Sequence, residues 1–93
     1  MRYNEYMTTL AHIDVDDQDW VDLTTGFING KDYLIQNDSS SILLLHEAAN
    51  APADDEDAFK VEAGDEREIT FDNTTPIRGK LLGGVGKVKR NTL

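Results

Sequence analysis

The chain has 93 residues, 39% apolar and 29% charged, with 18 acids against 9 bases for a formal net charge of −9, and it has no cysteine. A chain of this length is one domain. The missing cysteines exclude disulfides and thiolate zinc sites, and no apolar run approaches the roughly 20 residues of a membrane span or the roughly 7–15 of a signal-peptide core. The apolar content lies below the usual ~45–50%, so the core is small and burial against neighbours is the remaining route to stability.

Charge is distributed unevenly. Residues 1–77 hold all 18 acids and 4 bases, a formal −14, and residues 78–93 hold Arg78, Lys80, Lys87, Lys89 and Arg90 with no acid, a formal +5. Such asymmetry bears on association rather than on fold. An acidic body repels nucleic acid, while the basic end suits an acidic protein surface, that of another copy included.

In chain order, Tyr3, Tyr6, Met7, Leu10 and Ile13 have helix-like spacing with little else to support a helix, and an arm over residues 1–19 is the expectation. Residues 14–19, DVDDQD, read as an acidic turn. Trp20–Asn29 reads as a strand broken at Gly26, and Asn29-Gly30 is a turn signal. Residues 32–38 and 41–48 read as two strands of a hairpin joined through Asp38–Ser40. Ile42, Leu43, Leu44 and Leu45 make both faces of the second strand apolar, as for a strand buried on both sides. Strands are also expected over 58–63, 66–71, 77–82 and 85–88, with turns every 8–12 residues or so. The expected fold is all-β: a small antiparallel sandwich or barrel of about six to eight short strands over residues 20–90, with an extended N-terminal arm and a tail at 91–93.

Motifs for chemistry are sparse. Counting an EF-hand loop from Asp14 puts Gln18, Asp19 and Thr25 where an oxygen ligand, glycine and glutamate are required, which leaves at most an irregular cation site at Asp14–Asp19. Gly83-Gly84-Val85-Gly86-Lys87 superficially suggests a phosphate loop, yet Leu81 and Val88 stand where glycine and a hydroxyl residue belong. His12 and His46 belong to no HExxH pattern, and the serines at 39–41 to no GxSxG elbow. No enzyme activity and no cofactor are expected.

The order of features resembles small tailed-bacteriophage virion proteins. The resemblance rests on a Y-x-I-Q-N strand, met by Tyr33, Ile35, Gln36 and Asn37, and a later V-x-A-G-D turn, met by Val61, Ala63, Gly64 and Asp65. It implies a non-enzymatic structural β-sandwich of a group that decorates capsids, attaches fibres or caps tail components; the expectation taken from it is a decoration protein that stabilises the assembled head, found in the virion and assembled in the host cytoplasm. Its implied partner is the major capsid protein or another virion protein. A homo-oligomer with a trimer favoured is implied; from the hydropathy and charge above, no membrane partner is expected and nucleic acid is a disfavoured one. A tail or fibre adaptor is the first alternative. A carbohydrate-binding β-domain, stacking sugar on Trp20, Phe27 or Tyr33, is the second. The candidate interaction residues are Trp20, Leu43, Leu45, Arg78, Lys80, Lys87, Lys89 and Arg90.

Overall fold

Alternation along Lys31–Asp38 buries Tyr33, Ile35 and Asn37 and leaves Asp32 and Asp38 exposed, the period-two pattern of a strand with one face in a core. The computed structural model describes residues 9–47, 58–71 and 75–93. Among them are eight strands: β1 (Thr9–Asp16), β2 (Val21–Asp22), β3 (Lys31–Asp38), β4 (Leu43–Glu47), β5 (Phe59–Val61), β6 (Glu66–Phe71), β7 (Ile77–Leu81) and β8 (Val85–Thr92). They form two four-stranded sheets, β1-β8-β3-β6 (sheet I) and β2-β7-β4-β5 (sheet II), with every pairing antiparallel. This interleaving of eight strands is the jelly-roll arrangement of a β-sandwich.

The all-β sandwich matches the sequence expectation, but its connections do not. Residues 33–48 were expected to form one hairpin. Instead β3 pairs with β6 and β8, while β4 pairs with β5 and β7, so the turn at Ser39–Ile42 carries the chain from one sheet to the other. Of consecutive strands, only β4 and β5 pair directly. A reversal with short polar side chains serves a crossing between layers about 10 Å apart as well as a hairpin.

The core fills the space between the sheets. Val15, Ile35, Ile69 and Val88 from sheet I meet Leu23, Leu43, Leu45, Val61 and Leu81 from sheet II and its flanks. Burying each such side chain is worth about 1.5–3 kcal/mol. At one side Phe27 stacks on Tyr33 with centroids 3.7 Å apart, Phe71 meets Phe27 edge-on, and the Tyr33 hydroxyl accepts the Ile28 N–H at 2.7 Å.

The expected N-terminal arm is corrected over residues 9–16. These form β1, an edge strand paired along β8, with Ile13 and Val15 turned to the core; residues 1–8 lie outside the described residues. Asp14 and Asp16 belong to this strand rather than to a turn. The expected strand over Trp20–Asn29 is reduced to the two residues of β2. The basic end is likewise an eight-residue strand inside sheet I, between β1 and β3. Gly84, at φ +76°, makes the tight passage from β7 to β8, so the glycine run serves a turn.

Candidate interaction surface

The side chains expected to bind partners fall into three environments. Leu43 and Leu45, 0% and 4% exposed, point into the core. Their assignment to an interaction surface is therefore corrected: alternation along β4 turns Leu44 and His46 to the other face, so the core takes the odd-numbered leucines.

Arg90 is also interior, at 4% exposure. β1 bulges between Leu10 and Ile13, opposite Arg90 and Val88. The bulged Ala11 carbonyl accepts Arg90 Nε at 2.9 Å, and Nη1 donates to the carbonyls of Leu23 at 3.0 Å and Thr25 at 2.6 Å. The guanidinium lies 5.3 Å from the centroid of the Phe27 ring. Burial pushes its pKa down from the usual arginine value, opposed by the field of Asp22. Arg90 is thus a clamp between sheet I and the segment after β2. Its expected role in binding is corrected for the same reason: the cationic head is spent on internal carbonyls.

Lys87 and Lys89 point outward from the middle of sheet I. Lys87 stands opposite Asp14 on β1 and Asp38 on β3, and Lys89 Nζ lies 3.7 Å from Asp38 Oδ2. By strand alternation this outer face also carries Asp16, Asp32, Glu66 and Glu68, so six acids face two bases, a formal −4. The basic end therefore lies within an acidic face.

Trp20, Arg78 and Lys80 come together on the outer face of sheet II. The ammonium of Lys80 is 5.8 Å from the Trp20 ring centroid, and the His46 ring centroid is 6.2 Å from it with the planes at 52°. Cross-strand register puts Lys80 beside Leu44, Arg78 beside His46 and Lys60 on the far side of Leu44. Leu44 points away from the space between the sheets yet is only 1% exposed, so it packs beneath this face and offers no contact to a partner. Within the strands this face carries Lys60, Arg78 and Lys80 against Asp22, a formal +2 on a chain of net −9. Leu44, His46 and Lys60 were not among the candidate interaction residues.

Asp17 lies at the rim. Its carboxylate accepts the Gln18 side-chain amide at 2.8 Å and the Gly84 N–H at 3.3 Å, and these bonds, with a smaller pull from Lys80, hold its pKa below the usual value of 3.8. Asp16 Oδ1 accepts the backbone N–H groups of Gln18 and Asp19. These acids organise the turn after β1. Among the described residues no group of three His, Asp or Glu side chains stands within reach of a common metal ion.

A cleft of roughly 230 Å³ opens between β5 and β6, floored by Leu45, Ile69 and Ile77. Phe59, 64% exposed, stands at its mouth under the Arg67 guanidinium at 5.0 Å. This volume is below the ~300 Å³ of ordinary small-molecule sites.

The two segments behind the virion resemblance are bonded to each other. Asn37 Nδ2 donates to the carbonyls of Val61 and Ser41, at 2.9 and 2.8 Å. The Asn37 N–H donates to Asp65 O and the Gly64 N–H to Asn37 O, both at 2.9 Å. Gln36 Nε2 adds a bond to Gly64 O. The motif residues thus join β3 to the β5–β6 turn, a job of the fold. The fold is a small jelly-roll domain in which the outward side chains of the described strands sum to a formal −4 on sheet I and +2 on sheet II. Searches against family models, curated proteins and solved structures returned no match.

Proposed function

We propose that this chain is a non-enzymatic bacteriophage virion protein of the capsid-decoration type. It binds the assembled head, and stabilises it, through the outer face of sheet II. The observation that carries the reading is the cluster of the partly exposed Trp20 with Lys80 and His46. A partly exposed tryptophan ring beside a strand that carries Arg78 suits a protein-binding surface, where tryptophan and arginine are enriched. It suits an acidic patch on the partner and involves no bond-making step.

Two further observations support the reading. Jelly rolls are a recurrent architecture of viral capsid domains, although they serve lectins as well, so the fold supplies analogy alone. Gln36 and Asn37 of the first motif of the resemblance are also hydrogen-bonded to Val61, Gly64 and Asp65 of the second. Against a sugar-stacking role, Phe27 and Tyr33 spend their faces on each other, and Tyr33 is 1% exposed.

The reading is tested by co-sedimentation with purified heads of the phage whose genome carries the gene. Saturable binding at a fixed number of copies per head, with heads more resistant to heat or chelator, is expected. Heads that never retain the protein overturn it.

A further inference from the structure

The edge strands of the two sheets are unequal. β2 has two residues and β5 has three, and β1 is interrupted by its bulge between Leu10 and Ile13. β6 alone runs six residues in unbroken register with β3, its one partner among the described strands. A long, regular edge is the kind that accepts a further strand. Its backbone has a bonded side and an open side. The Asn37 N–H donates to Asp65 O and the Gly30 N–H to Phe71 O, so alternation turns the backbone groups of the odd-numbered residues toward β3. Those of Glu66, Glu68 and Thr70 then point to the open edge, and all three side chains are exposed.

From this edge we infer a docking site for an extended segment of another protein, added alongside β6 as a further strand of sheet I. The chemistry of the segment follows from its neighbours. On the outer face Glu66 and Glu68 favour basic side chains at alternate positions. On the inner face the intervening positions pass Arg67 and Ile69, over the cleft of roughly 230 Å³ floored by Leu45, Ile69 and Ile77, with the exposed Phe59 at its mouth. Those positions favour apolar side chains. The occupant is therefore a strand that alternates basic and apolar residues. A second copy of the chain does not supply it from its longer edges. β6 against β6 sets glutamates against glutamates, and β1 brings Asp14 and Asp16. The site lies along one edge of the sandwich, apart from the outer face of sheet II, and the inference does not rest on the proposed function.

The test uses the purified full chain, labelled with nitrogen-15, and a short blocked peptide of alternating lysine and valine. Titration is expected to move the amide signals of Glu66, Glu68 and Thr70 saturably and to slow their exchange with solvent. The same peptide N-methylated at its lysines keeps every side chain and the charge but cannot donate ladder bonds, so it is expected to bind about tenfold or more weakly. A peptide of alternating glutamate and valine is expected to leave the wild-type spectrum unchanged and to bind Glu66→Lys with Glu68→Lys. The spectrum of that variant shows whether it is folded, and the N-methylated arm needs the wild type alone. No binding of the lysine–valine peptide at millimolar concentration, shifts confined to other strands, or equal affinity for the N-methylated peptide each overturn the inference.

Discussion

The Lys80 ammonium lies 5.8 Å from the centre of the Trp20 ring, with the His46 ring 6.2 Å from the same indole. Trp20 precedes the two-residue edge strand β2, and its side chain reaches past β7 to His46 on β4. One residue thereby joins three strands on one face.

Trp20→Ala is expected to leave the fold intact and to lower stability by about 1–3 kcal/mol, from lost apolar burial and the lost cation–π contact. Trp20→Phe is expected to recover part of that loss. Chemical denaturation with matched circular dichroism spectra checks both, and an Ala variant as stable as wild type would place the indole in solvent.

Arg90→Met is expected to cost about 3 kcal/mol or more. The apolar side chain leaves the carbonyls of Ala11, Leu23 and Thr25 short of a donor, each a penalty of about 1–3 kcal/mol if buried. Arg90→Lys keeps the charge and loses the fork, so its loss is intermediate. Urea midpoints measure the order; equal stability for all three would contradict the clamp.

Gly79 sits between β2 and β4, and a methyl group added there would meet Leu23 Cδ1 at 2.5 Å. Gly79→Ala is expected to destabilise by about 1–3 kcal/mol through overpacking. The same change in a Leu23→Ala background is expected to cost much less. A double-mutant cycle reads the coupling, and additive losses would mean that Leu23 does not occupy that space.

Asp17 carries a depressed pKa, first from the Gln18 side chain and next from the Gly84 N–H. The sign follows: its contribution to stability is fully present above the ordinary value of 3.8 and is lost as pH falls through the lower folded value. Asp17→Asn is therefore expected to lower stability near neutral pH slightly and to flatten the acid limb below pH ~4. Thermal melts at a series of acidic pH values check this; parallel pH profiles would remove the contribution.

Much of the fold was legible because alternation was clean. Glu66–Phe71 was expected with its full bounds, and β3, β5 and β7 came within a few residues. β1 was read as part of an arm and an acidic turn because Asp14 and Asp16 dominate its composition, although Ile13 and Val15 alternate with them as core residues do. β8 was cut short at Val88 for the converse reason: a buried arginine at position 90 looks like surface charge until three carbonyls are seen around it. Strand partners were not legible. Asn29-Gly30 and Asp38–Ser40 both mark reversals, and both reversals cross between sheets. Of the expected interaction residues, Trp20, Arg78 and Lys80 meet on one face because their strands pair across the second sheet. Long-range register decided that, and no local pattern encodes it.

The central claim is that the outer face of sheet II meets the partner, and Trp20, the sole tryptophan of the chain, reports on that face. The most direct measurement is its fluorescence during titration with purified heads. The account predicts a blue shift that saturates with the sedimented fraction and is lost in Lys60→Glu with Lys80→Glu. Saturable binding that leaves Trp20 emission unchanged, and that persists in the charge-reversed protein, would contradict it.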